Sequence, residues 1–352
     1  MPDADFIKID NTRLCDCKKG FLSCIEARDW MKNQIGVWQF MYEPRDIRDR
    51  NVHPAVFPIA MAKRVIEQFT HKGELVLDPF VGSGTTLLAA QDLDRNAVGF
   101  DLKQEYVDLS NSRVEEPPAD RHCKQIAVCD DARNIVNRIV RGTVKLAFTS
   151  PPYANILNRE RKNKSRRGDL RQNEQFGKVE QYSQDPRDLG TLEVDAFEAA
   201  MSEIFKQMMP VFDEKAHILI NITDAWIDRK RVPLHINVVN ALRAAGYEFR
   251  NTIIWDRRNL VNKIGIFGWP SSYITMGTTF SSIFLISQSP LNLRNPVQRK
   301  KRSDFKRSIF WRFKICQTSC ICCRYFFQKR LFGIPDYQRG YAWLQRQLVD
   351  FW

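Results

Sequence analysis

The stretch 145-KLAFTSPPYAN-155 holds residue types that could do chemistry. Leu146-Ala147-Phe148 reads as the end of a buried strand, which stops at Thr149-Ser150-Pro151-Pro152-Tyr153. Two consecutive prolines cannot continue a central strand; they fix two φ angles and delete two amide donors. Ser150, preceding a proline, is biased to an extended backbone. The strand end is therefore a wall of acceptors, the Ser150 hydroxyl and the Pro151 carbonyl, followed by the flat ring of Tyr153. Upstream, 75-LVLD-78 runs into Pro79-Phe80-Val81-Gly82-Ser83-Gly84-Thr85-Thr86. Two glycines between a strand and a helix allow a tight turn and close approach of a ligand to the backbone. No lysine follows the second glycine, which argues against a phosphate-binding P-loop. Asp101 ends the next strand and can accept both hydroxyls of a ribose. Asp130-Asp131-Ala132 end the one after. Any one of these acids alone is best read as helix capping or turn chemistry. Three acids at one sheet edge beside a glycine turn point to an adenosine-containing ligand without phosphates.

The elements that must position these residues follow from periodicity. Residues 22–42 read as a helix leading into a strand, and 58–70 as a helix with Pro58 suited to its first turn. Strand 75–78 is followed by helix 85–93, strand 97–101 by helix 103–113, and strand 124–130 by a short helix near 132–139. Strand 145–150 comes next, then helix 195–209, strand 217–222, helix 234–245, and strands near 248–255 and 280–287. Strands separated by helices imply parallel βαβ units, so the fold class is α/β, with a doubly wound, mostly parallel sheet. Neither structural period continues past about residue 290, which predicts an irregular C-terminal tail.

DPFVGSGTT followed by TSPPY resembles the amino-methylating DNA methyltransferases, which use S-adenosyl-L-methionine. The resemblance extends through most of residues 30–290. Segment 51-NVHPAVFPIAMAKRVIEQFT-70 is similar to the part of that family covering the methionine end of the cofactor, and HILINITD and GYEFRNTIIWDR are similar to its later strand motifs. The resemblance implies a Rossmann-like class I methyltransferase fold over 1–290. It implies a cofactor site of His53, Pro54, Phe57, Asp78, Phe80, Gly82, Ser83, Gly84, Thr85, Asp101, Asp131 and Ala132, with Asp101 on the ribose and Asp131 near the adenine amine. It makes Ser150, Pro151, Pro152 and Tyr153 the catalytic set. The family often has an acid in its last strand motif, where this chain reads Phe280-Ser281-Ser282.

An exocyclic amine is a poor nucleophile because its lone pair is delocalised into the ring. Acceptors such as Ser150 and the Pro151 carbonyl can draw the nitrogen toward tetrahedral geometry. The base must first leave the duplex, and stacking on Tyr153 would offset part of that cost. Transfer is then direct displacement at a sulfonium, with neither a metal nor a covalent enzyme intermediate. A cytosine-C5 enzyme would need a cysteine nucleophile, usually after a proline, and no Pro-Cys occurs here. In the resembled family Ser before Pro-Pro is typical of cytosine-N4 enzymes, and Asp or Asn of adenine-N6 enzymes. The expectation is therefore methylation of cytosine N4 in double-stranded DNA, as part of restriction–modification or phage and host DNA modification; adenine N6 is the alternative. Two rivals are a DNA-binding remnant of a gene fusion that has lost catalysis, and an enzyme acting on RNA or protein amides.

The chain carries a net charge of +13, but residues 294–330 hold twelve Lys/Arg against one acid, Asp304, so the rest is nearly neutral. A DNA contact must then come from a local patch. The candidate is 159-RERKNKSRRGDLR-171, with Arg161, Lys162, Lys164, Arg166 and Arg167, inside a target-recognition insertion over 154–195. The loop 256–272 is a second candidate, although Phe267 and Trp269 there are better explained by packing. The polar, acidic start is not a secretory signal and no run of apolar residues is long enough to span a membrane. The expected place is the cytoplasm, on nucleoid DNA, with a cognate restriction endonuclease as a further partner. The nine cysteines are expected to be reduced thiols. Zinc at Cys316, Cys320, Cys322 and Cys323 is not favoured, since no second pair or histidines match them. Residues 291–330 read as a basic junction. Residues 331–352 resemble the opening of the ParB-like nuclease domain of GmrSD-type restriction proteins, too short to imply nuclease activity.

Overall fold

The structure is a computed structural model, and it describes residues 6–18, 20–48, 56–114, 123–156, 185–227, 230–257 and 280–288. The chain divides into two compact units, 1–292 and 293–352, and every described residue lies in the first. In chain order the elements are α1 (Ala27–Asn33), β1 (Val37–Trp38), α2 (Pro44–Ile47), α3 (Ile59–Phe69), β2 (Leu75–Asp78), α4 (Thr85–Asp92), β3 (Asn96–Asp101), α5 (Gln104–Arg113), β4 (Gln125–Cys129) and β5 (Val144–Thr149). They continue with α6 (Val194–Met208), β6 (Phe212–Ile222), the two-stranded β7 (Ala225–Ile227) and β8 (Lys230–Val232), α7 (Leu234–Ala244), β9 (Tyr247–Asp256) and β10 (Phe280–Gln288).

Eight strands form one sheet in the order β1-β9-β10-β6-β5-β2-β3-β4. β2 to β6 pair in parallel, and β10 runs antiparallel to both β6 and β9. The chain enters at β2, winds outward to β4, then returns to place β5 on the other side of β2. That reversal is the topological switch point where open α/β sheets bind ligands. The expected doubly wound, mostly parallel, Rossmann-like fold is what forms.

Burial on both faces explains the strand sequences. Leu75, Leu77, Ala147, Ile218, Ile220 and Ile222 face the layer of α6 and α7, where Phe197, Met201, Phe205, Val238 and Leu242 meet them. Val76, Leu146, Phe148 and Leu219 face the opposite layer, with Ile59, Ala62, Ile66, Leu87 and Ala90 from α3 and α4. Successive strand residues thus serve different cores, and a run that is apolar at every position is the result. The buried Asp46 fixes the entry to α3, accepting from Ile59 N at 2.8 Å and from Glu43 N at 2.6 Å.

Three local expectations change. The short helix near 132–139 is a 3-10 turn, Ala132–Asn137, capped by the Asp131 side chain. β6 begins at Phe212 rather than 217: Phe212 pairs with Val144, and the register then shifts before His217 pairs with Leu146, so the polar Asp213-Glu214-Lys215 fall at that irregularity. The β7–β8 hairpin was not anticipated.

Candidate active site

The loops after β2, β3, β4 and β5 open at one edge of the sheet and surround an open cleft, about 890 Å³ with the solvent at its mouth included. Its wall holds Phe57, Phe80, Gly82, Ser83, Thr85, Asp101, Asp131, Ala132, Ser150, Pro151, Pro152 and Tyr153, all anticipated from sequence.

The glycine turn is shaped by backbone contacts. Gly82 and Gly84 take φ of +49° and +79°, where side chains are strained. A Cβ on Gly84 would sit 3.0 Å from Ser110 of α5, and a Cβ on Gly99 of β3 would sit 2.4 Å from Val81 Cγ2. The Ser110 hydroxyl donates to Gly82 O at 2.7 Å, and Arg113 Nη1 donates to Ser83 O at 2.6 Å.

Asp101 touches both the turn and the cleft. Its carboxylate accepts from Gly82 N at 3.1 Å and from Lys103 N at 3.0 Å. Each oxygen keeps a lone pair for a further donor, as a ribose hydroxyl would be. Burial pushes its carboxyl up to about 6, the two backbone hydrogen bonds pulling the other way. Asp131 accepts from Arg133 N at 2.9 Å and pairs with Arg133 Nη1 at 3.0 Å.

Two anticipated ligand residues stand behind the wall instead of on it. Gly84 does not line the cleft, and neither does Asp78, which is buried at 1% exposure. Asp78 accepts from Thr149 Oγ1 at 2.6 Å, Thr86 Oγ1 at 2.5 Å and Phe80 N at 3.1 Å. It therefore ties the ends of β2 and β5 to the start of α4, holding the glycine turn beside Ser150. Burial raises its carboxyl to about 6.

Ser150 Oγ lies 3.1 Å from Tyr153 OH, so the two side chains of the SPPY turn are hydrogen-bonded to each other. Tyr153 also packs in part against the α6–α7 core. Burial pushes its phenol above the usual range, against the Ser150 hydrogen bond and the nearby Arg257 guanidinium. Ala154 follows with φ of +42°, an uncommon conformation for a residue with a Cβ. Asn155 N then donates to Leu192 O at 2.8 Å, which fixes the turn to 189–193.

Sequence reasoning missed Tyr106, Arg133, Arg187, Asp188, Leu189 and Ile204 on the same wall. Asp188 is 5% exposed and accepts from Gly190 N at 2.7 Å. It lies in a polar stretch where no periodic signal marks it. His53, Pro54, Arg161, Lys162, Lys164, Arg166, Arg167, Phe267, Trp269, Cys316, Cys320, Cys322 and Cys323 lie outside the described residues, as do most of 154–195, of 256–272, and all of 291–352. Reading the cysteines as ordinary thiols overlooked a cluster among the described residues, Cys15, Cys17, Cys24 and His71. Its only sequence signal is Cys-x-Cys followed by a third cysteine and a distant histidine. No helix among the described residues is long and apolar enough to cross a membrane.

Residues 18–112 match a family model described as DNA methylase. Over 118 residues the chain is 36% identical to the Type II methyltransferase M.ScaI of Streptomyces caespitosus, covering 32% of this chain and 38% of that protein. It is 43% identical over 83 residues to the Type II methyltransferase M.SmaI of Serratia marcescens, covering 24% and 27%. It is 42% identical over 94 residues to the Type II methyltransferase M.BglI of Bacillus subtilis, covering 27% and 25%. The matched part thus spans well under half the length of each of these relatives. Among solved structures, an SAM-dependent methyltransferase from Aquifex aeolicus aligns over 70% of this chain and 99% of its own, at 11% identity and a TM-score of 0.38.

Proposed function

We propose that this chain is a DNA amino-methyltransferase that uses S-adenosyl-L-methionine and acts on the N4 amine of a cytosine turned out of the duplex. The observation that carries the reading is the Asp78 bridge. Through Thr149 and Phe80 it joins the SPPY strand end to the glycine turn, so acceptor wall and cofactor turn share one cleft. The DNA methylase match over 18–112 covers the glycine turn and Asp101 and supports the same reading.

The wall suits such a cofactor. Asp101, Asp130, Asp131 and Asp188 contribute four carboxylates against the two guanidinium groups of Arg133 and Arg187, a surplus of negative charge that disfavours phosphates and favours a cationic, hydroxyl-bearing molecule. Asp101 would hold the ribose hydroxyls, Gly82 and Ser83 would let the ligand approach the backbone, and Phe57 and Phe80 would supply apolar contact. When bound, the cofactor supplies an electrophilic methyl on a sulfonium. Ser150 Oγ and the Pro151 carbonyl accept from the target amine and localise its lone pair. The Ser150–Tyr153 hydrogen bond sets the serine rotamer while the tyrosine ring stacks on the base. Serine before Pro-Pro supports cytosine; an adenine N6 amine would present the same donor to the same acceptors. The basic residues 161–167 would hold DNA phosphates, in a restriction–modification setting in the cytoplasm.

The test is methyl transfer from labelled cofactor to mixed-sequence DNA, followed by mass spectrometry of the nucleosides. N4-methylcytosine is expected. N6-methyladenine would replace the base assignment. No transfer by folded chain that still binds cofactor would leave a DNA-binding remnant as the better reading.

A further inference from the structure

At the opposite edge of the sheet three cysteines and a histidine converge. Cys15 Sγ and Cys24 Sγ each lie 3.4 Å from His71 Nδ1, and the ligand atoms of Cys15, Cys17, Cys24 and His71 all lie within 4.8 Å of one another. In a tetrahedral zinc site with ordinary Zn–S and Zn–N bonds, sulfur and nitrogen stand roughly 3.5 Å apart. His71 is 1% exposed. Its Nε2 faces Phe21 O at 3.0 Å, an acceptor that assigns the proton to Nε2 and turns the Nδ1 lone pair toward the thiols. Lys72 N donates to Cys24 Sγ at 3.5 Å. One imidazole nitrogen cannot satisfy three thiols, and the sulfurs' other neighbours include one another.

We infer that Cys15, Cys17, Cys24 and His71 form a structural zinc site. The donor set is three sulfurs and one nitrogen with no oxygen ligand, which suits Zn²⁺ and not Mg²⁺ or Ca²⁺. As three Zn–S bonds form, the thiols release up to three protons to solvent, while neutral His71 gives its lone pair and loses none. The resulting centre carries one negative charge, with the Arg13 and Arg95 guanidinium groups within electrostatic reach of the thiols.

The surroundings give the site a mechanical role. Leu14 N donates to Lys72 O at 2.9 Å, Asn96 Nδ2 to Asp10 O at 2.8 Å, Asn11 Nδ2 to Thr143 O at 2.8 Å, and Ile7 N to Arg138 O at 2.9 Å. Residues 7–14 thus cross the starts of β2, β3 and β5. Arg13 pairs with Glu74 at 2.9 Å, and Glu74 also accepts from His71 N at 2.8 Å. Gly73, at φ +84°, has Thr12 O 2.1 Å from where a Cβ would stand. A zinc ion here would fasten this segment to the turn leading into β2, with all four positions filled by protein and none open for catalysis.

The test uses the full chain with Cys316, Cys320, Cys322 and Cys323 all changed to serine, so that metal elsewhere does not confuse the count. Purified under reduction and without chelator, it should carry about one zinc per chain by elemental analysis. Replacement by Co²⁺ should give sulfur-to-cobalt charge-transfer bands and a tetrahedral ligand-field spectrum. Cys17→Ser should lose most of the zinc, and Cys129→Ser should keep it. Where Cys17→Ser fails to fold, zinc released from the folded parent by a mercurial, read with a chromogenic chelator, decides instead. Zinc at background with no cobalt spectrum overturns the site. So do full zinc retention in Cys17→Ser and an isolated Cys15–Cys24 disulfide under reducing purification. None of these readouts depends on methyl transfer.

Discussion

At one edge of the sheet, loops after β2, β3 and β5 bring carboxylates, glycines and a proline turn around a cleft. At the other, a single extended segment crosses the strand starts and meets His71 through three cysteines. The first edge is built from short contiguous motifs, each at the end of its own strand. The second is assembled from residues up to 56 positions apart, as Cys15 and His71 are. The chemistry differs in the same sense. Asp78 and Asp101 are held by hydroxyls and backbone amides in an oxygen-rich setting, while the other edge offers sulfur and imidazole. A site that must face a ligand needs several loops converging at the switch point. A fastening needs only partners that fold next to each other.

The largest effect should come from Asp78. Asp78→Ala leaves the Thr149 and Thr86 hydroxyls and the Phe80 amide without their buried acceptor. At roughly 1–3 kcal/mol for each unsatisfied group, the loss should be about 3 kcal/mol or more, seen in denaturant unfolding, with methyl transfer abolished. Asp78→Asn should recover most of the stability, because an amide oxygen still accepts from Thr149 and Phe80. If Asp78→Ala unfolded like the parent, the bridge could not be what joins the two halves of the cleft.

Next comes a crossed experiment on the two edges. Asp101→Ala should weaken cofactor binding by about 1.5–3 kcal/mol, roughly 10- to 150-fold, and cost less stability than Asp78→Ala, since it frees two backbone amides beside the open cleft rather than three donors behind it. Chelation should do the reverse, lowering the melting temperature and leaving the cofactor dissociation constant of the still-folded chain unchanged. Calorimetry and thermal unfolding on the same samples read both. A chelator that weakened cofactor binding as much as Asp101→Ala would break the separation of the edges.

The pH dependence sharpens the first edge. Asp78 and Asp101 rise from 3.8 to about 6 on folding, chiefly by burial. Between these values the folded chain holds protons that the unfolded chain has lost. Their stabilising contribution is therefore complete below about 4 and falls as pH rises toward 6. Cofactor affinity should move oppositely, weakening as pH drops through about 6, because a protonated Asp101 accepts less well. Asp101→Asn should flatten that profile; an unchanged profile would remove Asp101 from the ribose.

Much of this was legible in the sequence. β2 to β6 and α3 to α7 follow from apolar runs and helical spacing, because both sheet faces are covered and the alternation that hides strands is absent. The glycine turn and SPPY were legible because each is contiguous. The antiparallel sense of β10 was not, since a side-chain pattern carries no direction. β1 has two residues, too few for a period. Asp78 looked like a ligand because it stands beside the glycine turn, yet three local donors occupy it. Asp188 and the Cys–His cluster join the structure only through chain folding; no periodic signal marks Asp188, and Cys15-x-Cys17 with Cys24 does not point to the distant His71.

The smallest expected effect concerns Tyr153. From sequence its ring matters and its hydroxyl does not, which predicts that Tyr153→Phe keeps most activity. The 3.1 Å contact between its hydroxyl and Ser150 Oγ adds a role. The serine must aim at the target amine, and losing a fixed partner lets it sample other rotamers. A net hydrogen bond of about 1 kcal/mol corresponds to roughly a fivefold slower chemical step. DNA affinity should hold, because the ring still stacks. Tyr153→Ala should lose a further 1–3 kcal/mol, roughly, from stacking. Burial holds the phenol above its usual range, so it stays neutral through the working pH, and the Tyr153→Phe pH profile should match the parent's. Single-turnover methylation of an oligonucleotide carrying the recognised site separates these cases. Were Tyr153→Phe as slow as Tyr153→Ala with both folded, the hydroxyl would be acting on the substrate directly, and the SPPY turn would need a second acceptor or donor at the base.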